Sequence, residues 1–216
     1  MFRNVIFDLD GTLLNTLDDL ADAGNHTCRV MGWPEHPVQA YRYFVGNGIP
    51  KLVERFTPGP YRTPETLKAA LDIFVPYYNA HKEDKTVPYA GMPETLARLR
   101  EAGVRMAVLT NKAHPLAKAV VEQYFPQMFP LVQGALPDRP TKPDPELLHQ
   151  LMEEMGAKPE DTLFVGDSNV DVRTAKNGGL KCCGVLWGFR TEEELAEEGA
   201  DYIVRTPADL EKLILR

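Results

Sequence analysis

Cysteine is scarce in this chain: three residues, Cys28, Cys182 and Cys183, two of them adjacent. An odd count with a neighbouring pair does not make a disulfide framework, and it favours a reducing compartment. No further cysteine or histidine stands near them at metal-ligand spacing, which argues against a structural zinc site. Long apolar runs are missing as well. The first one is short and interrupted by aspartates, so it reads neither as a secretory signal nor as a membrane span. An excess of positive charge is also absent, since the formal net charge is −7 and the sequence pI about 5.3. That balance argues against a protein that reads nucleic-acid backbones. No internal repeat or low-complexity tract occurs. With 44% hydrophobic and 25% charged residues the composition is that of an ordinary globular protein, expected in the cytoplasm.

What is present begins at Asn4. Val5, Ile6 and Phe7 form an apolar run suited to a buried parallel strand, and Asp8, Asp10 and Gly11 follow it directly. Strand ends of this kind are where open α/β sheets hold ligands. Two acids one residue apart repel, so a cation or a shared proton must offset them. Magnesium, which prefers hard oxygen ligands and pairs with substrate phosphate, suits that place. Asp-Gly is also a common turn pair, so these residues alone fit an acidic turn equally well.

From Thr16 to Val87 helical spacing dominates. Leu17, Leu20, Ala21 and Gly24 open one helix, and Val38 to Phe44 and a segment after Gly46-Asn47-Gly48 predict two more. Thr63-Pro64-Glu65 predicts an N-cap and first turn for a helix reaching about His81. From Pro88 onward strands and helices alternate, with strands expected at Val104–Leu109, Leu131-Val132, Thr162–Val165, Cys183–Leu186 and Tyr202–Val204. Alternation of this kind indicates a parallel sheet covered on both faces. The expectation is therefore an α/β protein: a Rossmann-like, doubly wound core from residues 1–15 and 88–216, with a small all-helical cap, 16–87, inserted after the first strand.

Three more clusters fall at expected strand or helix ends. Thr110-Asn111-Lys112 is expected to close the Val104–Leu109 strand and open a helix, where a hydroxyl and free amides make a phosphate site. Thr110 fits a plain N-cap equally well. Lys142-Pro143-Asp144-Pro145 precedes a helix, and a lysine there can neutralise a phosphate together with a carboxylate, although taken alone it reads more readily as an ordinary exposed lysine. Asp167 and Asp171, in Gly166–Asp171, are expected one helical turn apart on one face. Acids at a helix start also stabilise the helix, but four acids in two places exceed what capping needs.

Asp8-Leu9-Asp10-Gly11-Thr12-Leu13 and the three later clusters, in this order, resemble the four motifs of the haloacid dehalogenase superfamily of phosphohydrolases. Within it, Val45–Ile49 with Leu52–Arg55, Pro88–Gly103 and Leu163–Asp171 look like the phosphoglycolate phosphatases. The resemblance implies magnesium-dependent hydrolysis of a small phosphomonoester, with 2-phosphoglycolate foremost. It casts Asp8 as the nucleophile that becomes an aspartyl-phosphate, and Asp10 as general acid/base with its backbone carbonyl toward the metal. Thr110 and the Asn111 amide would hold phosphoryl oxygens, and Lys142 would balance charge. Asp8, Asp10, Asp167 and Asp171 would form the metal site, Asp171 directly or through water. Gly46, Asn47 and Gly48 in the cap would meet the substrate. Asn15 and Thr16 stand where many relatives carry Asp and Ser, outside the catalytic positions. A phosphomutase on the same fold and, less close, a receiver-like phospho-acceptor share much of this pattern. The partner is expected to be a small phosphorylated metabolite, with no nucleic acid and no membrane; oligomeric state is not legible.

Overall fold

Alternation along the strands sets the layers. In a strand, successive side chains point to opposite faces. Val5 and Phe7 accordingly join one buried cluster, with Met92, Leu96, Val120 and Leu210, while Ile6 joins another with Leu148, Leu151, Val172 and Leu195. The computed structural model describes all of Met1–Arg216 and consists of two compact units: Met1–Leu14 with Pro88–Arg216, and Asn15–Val87.

The first unit is a six-stranded sheet. Its strands are β1 (Asn4–Phe7), β4 (Arg105–Ala113), β5 (Leu131–Ala135), β6 (Thr162–Gly166), β7 (Lys181–Val185) and β8 (Tyr202–Val204), in the order β5-β4-β1-β6-β7-β8. Every pairing is parallel. Helices α5 (Met92–Glu101), α6 (His114–Tyr124) and α10 (Pro207–Leu215) cover one face. Helices α7 (Glu146–Met155), α8 (Asn169–Asn177) and α9 (Glu192–Glu198) cover the other. The doubly wound α/β expectation therefore holds. β1 is central: the chain winds from it through β4 to β5, then returns to its other side with β6. Such a reversal leaves a crevice beyond the carboxyl ends of the strands, where ligands bind.

Helices α1 (Leu17–Met31), α2 (Val38–Phe44), α3 (Gly48–Phe56) and α4 (Pro64–His81) build the second unit. Two short strands, β2 (Leu14–Asn15) and β3 (Val87–Pro88), pair where the chain passes from one unit to the other and back. Its core is aromatic. Tyr41, Phe56, Phe74 and Tyr78 are fully buried, each contributing roughly 1.5–3 kcal/mol by leaving water. Tyr41 fits because position 24 is glycine: a Cβ there would lie 2.4 Å from the Tyr41 ring. Gly32, whose φ of +71° places it in the left-handed region, caps the end of α1, and Thr63, whose hydroxyl accepts the Thr66 N–H, caps the start of α4. Asp19, buried in the first turn of α1, accepts the N–H groups of Lys85 and Thr86 and the Thr86 hydroxyl at 2.7–3.2 Å. That one carboxylate ties the end of the unit to its beginning. No helix is long and apolar enough to cross a membrane.

Candidate active site

Asp8 sits immediately after β1, and its N–H extends the β1–β6 ladder by donating to the Val165 carbonyl at 2.9 Å. Asp167 follows β6, the neighbouring strand. Asp171 occupies the first turn of α8, where its carboxylate accepts from the Ser168 N–H at 3.0 Å and hydroxyl at 2.7 Å. These three acids are buried, and one ligand oxygen from each lies within 4.8 Å of the others. Asp167 and Asp171 do not share a helix face, contrary to the sequence expectation: α8 begins at Asn169, so Asp167 belongs to the turn before it. Convergence comes from the adjacent ends of β1 and β6, with Asp171 folded back by its capping bonds.

Lys142 is the counter-charge. Its Nζ donates to Asp8 Oδ1 and Asp171 Oδ1, both at 2.7 Å, and it is buried. Burial pulls its pKa down, but Asp171 and Asp8 outweigh that and hold the ammonium above the ordinary lysine range. Asn111 keeps the lysine in place, its side-chain NH₂ donating to the Lys142 carbonyl at 3.0 Å and its oxygen accepting the Lys142 N–H at 2.9 Å.

One ammonium does not neutralise three carboxylates. Burial pushes Asp8 up to about 8, with Asp171 and Asp167 adding to the rise and Lys142 opposing it. Burial and Asp171 push Asp167 up to about 7, against the Phe189 N–H, the Arg190 charge and the Thr12 hydroxyl. Three hard oxygen donors converging with excess negative charge suit a divalent cation, and Asp8, Asp167 and Asp171 fit as its holders. Two glycines make room. A Cβ on Gly11 would come within 2.5 Å of Asp167 Oδ2, and one on Gly188 within 2.2 Å of Asp167 Cβ. Gly11 also has a φ of +94°, which a side chain would strain.

Asp10 stands apart from the three. Its carboxylate faces Lys112, whose Nζ lies 2.9 and 3.1 Å from its two oxygens. Thr110 is buried within β4 and its Oγ1 accepts the Lys112 N–H at 3.2 Å. Thr110 neither ends the strand nor caps the helix, as was expected of it: β4 continues to Ala113, and α6 runs over His114–Tyr124 without a side-chain cap. Polar residues ended the apolar run that marked the strand, while pairing with β5 continued past a register shift between Leu109 and Ala113. Gly46, Asn47 and Gly48 belong to the helical unit, at the turn from α2 into α3. There Gly46 and Gly48 have φ of +116° and +79°, and Arg55 donates to Asn47 Oδ1 at 2.7 Å and to the Phe44 carbonyl at 2.8 Å.

Sequence reasoning missed several groups. Thr12 Oγ1 donates to Asp167 Oδ1 at 3.1 Å and the Phe189 N–H to Asp167 Oδ2 at 2.7 Å. The second is a backbone donor, to which side-chain patterns are blind. Lys112 had a signal: read as continuing strand, Thr110 and Lys112 fall on one face, two residues apart.

Fold and site together define a doubly wound α/β enzyme with an acidic, cation-ready centre at its switch point. The model of the haloacid dehalogenase-like hydrolases matches residues 5–185, and the chain belongs to that family. It is 36% identical to the phosphoglycolate phosphatase of Pseudomonas fluorescens over 98% of this chain and 78% of the relative. The phosphoglycolate phosphatase of Aquifex aeolicus is 30% identical, over 98% of this chain and 96% of its own length. A crystal structure from Lactobacillus delbrueckii subsp. bulgaricus, provisionally named a phosphoglycolate phosphatase, superposes with a TM-score of 0.94 at 29% identity, covering 99% of this chain and 98% of that one.

Proposed function

We propose that this chain is a magnesium-dependent phosphatase that hydrolyses 2-phosphoglycolate through an aspartyl-phosphate on Asp8. Phosphoric monoester hydrolysis is the class to which its curated relatives belong by name. One observation supports the reading above others: Asp8 directly follows the central strand beside Lys142, with a ligand oxygen within 4.8 Å of those of two further buried acids.

In this reading an Asp8 oxygen attacks phosphorus as the bond to the ester oxygen breaks, and Asp10 gives its proton to the departing alkoxide. Asp10 then takes a proton from water as that water displaces Asp8 from phosphorus, which returns both acids to their starting states. Thr110 and the Asn111 backbone amide hold phosphoryl oxygens, and Lys142 offsets the charge shared by Asp8 and the phosphate. Asp8, Asp167, Asp171 and the Asp10 carbonyl would hold magnesium, which would supply positive charge to steady the transferring group. Residues 16–87 serve as the cap that selects the leaving group, with Gly46, Asn47 and Gly48 offering backbone amides to the glycolate carboxylate.

The test is a panel of phosphorylated metabolites assayed with magnesium, run on the wild type and on Asp8→Asn. We expect 2-phosphoglycolate to give the highest kcat/KM and Asp8→Asn to abolish turnover while keeping the wild-type circular dichroism spectrum. Wild-type turnover by Asp8→Asn would end the proposal.

A further inference from the structure

The site holds two buried lysines, and they serve different acids: Lys142 contacts Asp8 and Asp171, Lys112 contacts Asp10. We propose that Lys112 is the positioning residue for the Asp10 carboxylate, a role that rests on the reading of Asp10 as acid and base.

An aspartate at a turn has little to fix its direction. Asp10 lies in the turn between β1 and β2, where the Gly11 N–H donates to the Leu14 carbonyl at 2.8 Å, and its side chain is 15% exposed. Its carboxylate rotates about two bonds, and only contacts restrain it. Lys112 supplies such contacts to both oxygens at once, at 2.9 and 3.1 Å, from a side chain only 5% exposed. Charge-assisted bonds in a water-poor place are the strong kind, so the pair sets an orientation rather than merely a charge.

The lysine is itself held. Its strand, β4, is hydrogen-bonded to β1, which leads into the Asp10 turn. Its N–H is bound to Thr110 Oγ1, and its carbonyl lies against Gly134 so closely that a Cβ at 134 would be 2.6 Å away. The register shift between Leu109 and Ala113 falls on the same stretch of β4. Irregularities of this sort re-aim side chains beside functional sites. A proton transferred to an alkoxide must travel along a hydrogen bond of about 2.6–3.2 Å, so a carboxylate left to swing loses rate without losing substrate.

That last point gives the test. Lys112→Met keeps the apolar stem and removes the ammonium; Lys112→Gln keeps one N–H donor. Both are assayed with 2-phosphoglycolate and with nitrophenyl phosphate, in the wild-type and Asp10→Asn backgrounds. We expect Lys112→Met to lower kcat on 2-phosphoglycolate about ten- to a hundredfold, with KM changed less than about threefold and a smaller loss on nitrophenyl phosphate, whose leaving group needs less acid. Lys112→Gln falls between it and wild type, and it decides the matter if the methionine variant does not fold. In the Asp10→Asn background either change costs less than about twofold, because a residue acting through Asp10 has nothing left to act on. Equal losses in both backgrounds overturn the proposal, as does a rise in KM with kcat preserved, which would make Lys112 a substrate contact. Wild-type kcat of Asp10→Asn on 2-phosphoglycolate refutes the acid and base reading itself, whatever Lys112 does.

Discussion

Magnesium binding to this protein should release protons, and the amount follows from the site. Asp8 and Asp167 are held at about 8 and about 7 by burial among other acids, against an ordinary value of 3.8. Both folded values lie above the unfolded one, so the metal-free fold holds these protons more tightly than the unfolded chain does. The stability they contribute is complete below about pH 4 and is lost as pH rises through 7 to 8. A cation binds the ionised form and must displace whatever protons remain. At pH 6 that is roughly two protons per ion, and at pH 8 fewer than one. Integrated over the interval, the apparent affinity tightens on the order of a few hundredfold between pH 6 and pH 8. Isothermal titration with magnesium, repeated at each pH in buffers of different ionisation enthalpy, measures both the proton count and the affinity. Release of less than half a proton at pH 6, or an affinity that moves less than about threefold, would refute the account of a desolvated, under-neutralised acid cluster.

Lys142→Met strands two buried carboxylates, a loss of about 3–5 kcal/mol for a broken buried pair, or roughly 10 °C in a chain of this size. Thermal unfolding in EDTA measures it, and a shift below about 2 °C would contradict the pairing. Gly188→Ala puts a methyl group 2.2 Å from Asp167 Cβ and 2.5 Å from the Gly11 carbonyl, so Asp167 must move. Magnesium affinity should fall tenfold or more in titration calorimetry, with overpacking costing about 1–3 kcal/mol in urea unfolding. Asp19→Ala leaves the Lys85 and Thr86 N–H groups without their acceptor, at a cost of about 3 kcal/mol. Amide exchange at those two residues should accelerate more than at β1.

Legibility in the sequence followed the kind of force at work. Val38–Phe44, bounded by His36-Pro37 and Gly46, and Pro64–His81, opened by Thr63, lie where turn and capping chemistry mark them. Tyr202–Val204 also coincides with its strand. β4 overran its expected end because pairing with β5 resumes at Ala113, beyond the irregularity that holds Thr110, Asn111 and Lys112, and apolar periodicity does not see backbone pairing. In the site, the acids were visible as residue types at strand ends. Their partners were less so. That Asn111 would spend its side chain on the Lys142 backbone, or that Phe189 would present an N–H to Asp167, depends on loops whose path no local pattern encodes.

The clasp made by Asp19 has an evolutionary corollary. A segment whose exit is fastened to its own entrance behaves as a self-contained cassette: its interior can be rewritten, lengthened or exchanged while the parallel strands keep their register. In such an architecture sequence changes can accumulate between Asn15 and Val87 without disturbing the sheet. Asp8, Asp10, Asp167, Asp171 and the two buried lysines, Lys112 and Lys142, all lie outside those limits.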